Sequence, residues 1–209
     1  QSGLVPAYSA ESDSEDEGAE KDEKEGRLTD WVKLACLLSF PLNKETIIEG
    51  LSLLCQTGKR LEHAFIKLDL KERALTDIVA ISNYIHIRFL DLSNNHISDL
   101  SPLAPMTHLL WLKVDSNSVT TLKGQPLAEF TFLQWLSVAS NQLVDLEGLV
   151  GPLRLLTNSL KSLVIAENPV VDTILYRPSI LILLPQLERI DKEVVTLKER
   201  TEAQRSIRV

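Results

Sequence analysis

The sequence predicts an α/β solenoid: short parallel strands on a concave face, a helical or irregular convex side, and helical caps at the ends. Two observations carry this. One apolar frame recurs four times with an asparagine in a constant place. Ile87-x-x-Leu90-x-Leu92-x-x-Asn95-x-Ile97 returns as Leu109-x-x-Leu112-x-Val114-x-x-Asn117-x-Val119. It continues as Leu133-x-x-Leu136-x-Val138-x-x-Asn141-x-Leu143 and Leu160-x-x-Leu163-x-Ile165-x-x-Asn168-x-Val170. The asparagines are spaced by 22, 24 and 27 residues, the length of one coil in a stacked-repeat protein.

From the N-terminus, residues 1–27 form an acidic tail. Glu11 to Glu25 holds nine acidic side chains against Lys21 and Lys24, a net charge of −7 equal to that of the whole chain. A block of one sign with little apolar surface cannot collapse, so the tail is expected to be disordered and solvated. Its plainest role is solubility, with an electrostatic contact to a basic partner as the alternative. Ser12 and Ser14 sit in a weak phosphorylation context. The chain opens at Gln1 rather than methionine, so its natural start is expected upstream.

Residues 28–62 read as an N-terminal helical cap region. Trp31 to Leu42 is apolar but broken by Lys33 and Pro41, too short for a bilayer, and behind the wrong flank for a signal peptide. Asn43 caps a predicted helix with Ile47, Ile48, Leu51, Leu54 and Cys55 at helical spacing, ending near Gly58. Cys36 and Cys55 have apolar neighbours and no pattern, so both are expected to be reduced core thiols of a cytosolic protein.

Residues 63–191 read as the solenoid with its C-terminal cap. Leu68-x-Leu70-x-x-Arg73-x-Leu75 fits the frame with Arg73 in the asparagine slot, as an end coil is free to do. Each Leu-x-Leu is a strand whose outer two side chains point inward. The asparagine follows where the chain turns away, and its amide both donates and accepts. Asn95, Asn117, Asn141 and Asn168 are therefore expected to form a buried structural ladder. Leu100, Leu103, Leu122, Leu146 and Leu149 close the convex side. Tyr176 to Leu184 reads as an apolar helix, Leu187-x-x-Ile190-Asp191 as a last strand edge, and residues 192–209 as a charged C-terminal helix from Glu193 to Arg208.

No residue set supports catalysis. The Gly-rich phosphate loop, Cys-x-x-Cys, His-Glu-x-x-His and Gly-x-Ser-x-Gly patterns do not occur. His63, His86, His96 and His108 are scattered, so no metal or cofactor is expected. Asp99 and Asp145 fit turns. The charge balance argues against nucleic acid, and neither a membrane nor a small-molecule substrate is expected. What remains is a face. Phe89, Trp111 and Trp135 occupy one outward position on three successive strands, with Asp91, Lys113, Asp115 and Ser137 beside them. At about 4.8 Å per strand they are expected to stack as a stripe roughly 10 Å long. Aromatics beside polar groups have the composition of a protein-binding hot spot. The plainer reading is that the rings only shield the sheet.

Coils of this length and frame, with Tyr176-Arg177, Leu184-Pro185-Gln186-Leu187 and Ile190-Asp191 downstream, resemble SDS22-like leucine-rich repeats and their C-terminal cap. Glu49 to Ile78, Ser101 to Asn117 and Leu184 to Glu193 go further. They are similar to the leucine-rich-repeat proteins of ciliary and sperm-flagellar radial spokes. A testis protein joining such repeats to a guanylate kinase domain shares part of the pattern. The resemblance implies a structural adaptor in the cytoplasm and cytoskeleton, at the axoneme, with radial-spoke head or neck proteins as partners. Those family members carry more coils than the five counted here, and Glu147 to Ser159 runs straight into the last repeat, so the array is expected to be a shortened one. Two other binding roles fit the repeat type: a phosphatase regulatory subunit and a ribonucleoprotein-particle component.

Overall fold

Leu68, Leu90, Leu112, Leu136, Leu163 and Ile190 are register partners across six parallel strands, and every one is fully buried. The repeat frame thus becomes the sheet. The computed structural model describes residues 42–56, 63–174 and 176–206. Residues 1–41, and with them the acidic tail, Ser12, Ser14, Cys36 and all but the last residue of the Trp31–Leu42 segment, lie outside the described residues.

The strands are β1 (Leu51–Gln56), β2 (His63–Asp69), β3 (Phe89–Asp91), β4 (Trp111–Lys113), β5 (Trp135–Ser137), β6 (Ser162–Val164), β7 (Arg189–Ile190) and β8 (Glu193–Val194). They form one eight-stranded sheet in sequence order. β2 to β7 run parallel, and the end strands β1 and β8 pair antiparallel to their neighbours. The helices are α1 (Lys44–Gly50), α2 (Leu146–Leu153), α3 (Tyr176–Leu183) and α4 (Leu197–Ser206). One apolar core, from Leu42 to Ala203, runs behind the sheet.

Coil length decides what the convex side can hold. The coils ending at Asn117 and Asn141 have room only for single 3-10 turns, Ser101–Leu103 and Pro126–Glu129. The longer coil ending at Asn168 fits all eight residues of α2. A repeated side-chain acceptor starts these segments. Asp77, Asp99, Thr121 and Asp145 each accept the backbone N–H two residues on, at 2.8–3.1 Å. This local bond favours a turn over continued strand.

The N-terminal cap differs from its expectation. Asn43 does cap α1, its Oδ1 accepting from the Thr46 N–H at 2.8 Å, but the helix stops at Gly50. Leu51–Gln56 is a strand instead, with Leu51 opposite Leu68 and Gln56 opposite His63. The edge of β2 offers backbone partners to this segment, and that tertiary pairing outweighs a helical period of five apolar residues. Cys55 is therefore exposed on the sheet edge, not a core thiol.

The C-terminal segment departs similarly. Asp191 and Lys192 take φ of 50° and 72°, a two-residue turn that folds Glu193–Val194 back onto β7. The charged helix consequently starts at Leu197 rather than Glu193.

Candidate binding face

The asparagine ladder is the scaffold on which the face is built. Asn117 donates to the carbonyls of Leu92, Val114 and Asp115 at 2.9–3.1 Å and accepts the Ile97 N–H at 2.9 Å. Asn141 repeats this with Val114, Val138, Ala139 and the Val119 N–H, and Asn168 with Val138, Ile165, Ala166 and the Leu143 N–H. Asn95 does the same with Leu70, Leu92 and Ser93, and accepts from both Arg73 and Leu75 at 3.0 Å. All four asparagines are buried. Each amide ties a turn to its own strand and to the coil before it. The residue ahead of each asparagine takes a left-handed φ of 51–60°: Asn94, Ser116, Ser140 and Glu167, with Glu72 one coil upstream. The turn backbone bends away there and leaves the groups that the amide satisfies.

On the concave side, Phe89, Trp111 and Trp135 are successive register partners, all half-buried. The indoles of Trp111 and Trp135 stack at a centroid distance of 4.4 Å and an interplanar angle of 9°. Phe89 does not join them. Among the described residues the only other ring contact is His108 with Phe132. The expected three-ring stripe is thus a stacked pair plus a separate phenyl.

The polar residues divide in the same way. Lys113 Nζ lies 3.7 Å from Asp115 Oδ2, a partly exposed pair of small energetic value. Asp115 Oδ1 accepts from the Ala139 N–H at 3.0 Å and from the Ser137 hydroxyl. Asp91 Oδ1 accepts the Ser93 N–H at 3.0 Å and its hydroxyl at 2.6 Å. Ser137 was expected on the open face and is not there: it is 1% exposed, a positioning residue for Asp115. Both carboxylates are already partly engaged by their own sheet.

The register column runs Lys67, Phe89, Trp111, Trp135, Ser162, Arg189. A cation therefore stands at each end of this column, about 24 Å apart over five strand spacings. Arg189 holds the same position in the Leu187-x-x-Ile190 strand edge, directly before Ile190. No group of three or more His, Cys, Asp or Glu among the described residues is placed to hold a metal. None of their helices is long and apolar enough to cross a membrane.

The C-terminal cap explains its own signature. Leu184, Leu187 and Ile190 are fully buried. Tyr176 OH donates to Asp191 Oδ2 at 3.0 Å, while Asp191 Oδ1 accepts the N–H groups of Ile165 and Ala166 at 2.7 and 2.8 Å. Arg177 pairs with Glu199 of α4 and, at 3.2 Å, with Glu193. Burial, and then the Asp191 charge, push the Tyr176 hydroxyl well above the ordinary tyrosine range.

A family model described as leucine-rich repeat matches residues 67–209. The chain belongs to the leucine-rich-repeat family. Within that family it is similar to proteins named leucine-rich repeat-containing protein 23. It is 58% identical over 80 residues to the one from Homo sapiens, covering 38% of this chain and 23% of that protein. It is 42% identical over 125 residues to the one from Mus musculus, covering 55% and 37%. These matches therefore span only 23% to 37% of the relatives' own length. Among solved leucine-rich-repeat structures, the Drosophila melanogaster SNF/U2A′ complex contains a chain that superposes with a TM-score of 0.61. It is 25% identical, with 81% of this chain and 94% of that chain covered.

Proposed function

We propose that the chain is a non-catalytic protein-binding adaptor of the radial spoke in motile cilia and sperm flagella, gripping its partner on the concave face. The stacked Trp111–Trp135 pair carries the binding half of this reading. Two half-buried indoles on a rigid sheet present a large apolar surface at little conformational cost. Lys67 and Arg189 at the column ends favour a partner segment with an apolar centre and acidic flanks. Similarity to leucine-rich repeat-containing protein 23 supports the spoke assignment, and on this reading the protein works at the axoneme with spoke head or neck proteins as partners. The phosphatase reading needs free acidic groups on the concave face, and Asp91 and Asp115 are tied to Ser93, Ser137 and backbone. Nothing on this face favours the ribonucleoprotein reading.

The test is affinity capture from testis or ciliated-cell extract with the wild-type protein and a Trp111→Ser/Trp135→Ser double variant. Spoke proteins should be retained by the wild type and lost by the variant, with circular dichroism of the variant unchanged. Capture of a phosphatase catalytic subunit without spoke components would refute the axonemal role. A variant that unfolds would assign the indoles to sheet packing.

A further inference from the structure

Four cations on, or directly before, the concave strands stand in two matched pairs. Lys67 of β2 is the register partner of Phe89, and Arg88 directly precedes Phe89. Arg189 of β7 is the register partner of Ser162, and Lys161 directly precedes Ser162. One pair therefore straddles β2 and β3, the other β6 and β7, with the stacked indoles midway on β4 and β5. Each pair lies about 10 Å from the indoles along the sheet and about 19 Å from the other pair. Arg88, Lys161 and Arg189 are exposed, and Lys67 is half-buried. Among the described residues, none of these four side chains forms an ion pair or a hydrogen bond. The aspartates of this face are matched within it: Asp69 with Lys71, Asp91 with Ser93, Asp115 with Lys113 and Ser137. Glu188, whose N–H donates to the Lys161 carbonyl at 2.7 Å, offsets part of the second pair's charge. Like charges left side by side favour an anionic partner.

The sheet also limits the backbone of its partner. β2 to β7 each have a hydrogen-bonded strand on both sides, so the face offers side chains only. An extended segment laid across it would bury its own N–H and C=O groups against the indoles without partners. An α-helix brings its backbone already bonded. Resting on the concave-face reading above, we propose that the partner element is an acidic, amphipathic α-helix lying across the strands. Its apolar side packs on Trp111 and Trp135, and carboxylates toward its two ends meet Lys67–Arg88 and Lys161–Arg189. At 1.5 Å per residue, the roughly 19 Å between the pairs is about 13 residues of helix. Arg88 and Lys161 are then specificity residues, because they set how far apart the partner's acidic groups stand. An apolar helix without those charges leaves both cation pairs unmatched.

The test is fluorescence anisotropy of a labelled, alanine-rich helical peptide titrated with the full chain at low salt. The peptide carries two glutamates near each end, about 13 residues apart, and two leucines one turn apart at its middle. Saturable binding is expected, and Arg88→Glu and Lys161→Glu should each raise Kd at least about fivefold. Both residues are exposed, so both variants should keep the wild-type melting temperature. A peptide with lysines in place of the glutamates should bind the Arg88→Glu/Lys161→Glu double variant more tightly than the wild type. A central proline in the peptide, or glutamate pairs only about 6 residues apart, should weaken binding at least about fivefold. A wild-type chain that does not bind the peptide would overturn the proposal. Loss of binding in Trp111→Ser/Trp135→Ser, with the charge reversals and the proline silent, would overturn the helix and leave the concave face standing. Binding indifferent to that double variant would refute the concave face itself.

Discussion

Asparagine carries this fold residue by residue because a single amide meets four backbone groups at once. In the Asn117→Leu variant, the Ile97 N–H loses its acceptor inside the sheet, while the Leu92 and Val114 carbonyls keep the Asn95 and Asn141 amides as donors. A buried orphaned donor costs about 1–3 kcal/mol. Urea denaturation should show a loss of about 1–3 kcal/mol, and an unchanged midpoint would mean the ladder is not what holds adjacent coils. Tyr176 offers a second test with a defined sign. Its folded-state hydroxyl pKa is raised above the unfolded value of about 10. The stabilisation is therefore complete below pH 10 and is lost as pH rises, since the unfolded chain ionises first. Tyr176→Phe should be less stable than wild type at pH 7, because Asp191 Oδ2 loses its donor. The gap should narrow between about pH 10 and pH 11 in thermal melts, and a constant gap would contradict the assignment. Both residues were visible in the sequence, Asn117 by its period and Tyr176 by its place in the cap signature. Ser137 was misjudged, because alternation along a strand says which way a side chain points and not whether its neighbour closes over it.

At the scale of elements, spacing translated directly into structure. Coils of 22 and 24 residues hold 3-10 turns, and the 27-residue coil holds α2. The N-terminal cap shows the opposite, since periodicity alone cannot choose between a helix and a strand of six residues. Gly50 marks where the choice is made. A Cβ at this position would sit 2.3 Å from the Asp69 carbonyl oxygen, so only glycine lets α1 close onto β2. Gly50→Ala sets two effects against each other. Helix propensity favours alanine by about 1 kcal/mol, while overpacking against fixed backbone costs about 1–3 kcal/mol. The clash should win, lowering the melting temperature and loosening β1 in hydrogen exchange. A variant as stable as wild type would show that α1 packs less tightly than this geometry requires.

Across the whole molecule, stability is a chain of nearest-neighbour interfaces closed at two unlike ends. The C-terminal end is sealed by the Tyr176–Asp191 bond, the Arg177 ion pairs and a blunted edge strand. The N-terminal end is finished by α1 and by β1, which runs antiparallel to β2. The repeat frame, its spacing and its asparagines determined the solenoid, the buried face and the register that lines up Phe89, Trp111 and Trp135, because stacking identical coils leaves only one way to bury a periodic apolar set. Tertiary structure alone decided which of those rings touch, that Ser137 is closed over, and that Leu51–Gln56 is strand. Those outcomes depend on contacts between residues far apart in the chain, where no local period distinguishes a covered surface from an open one.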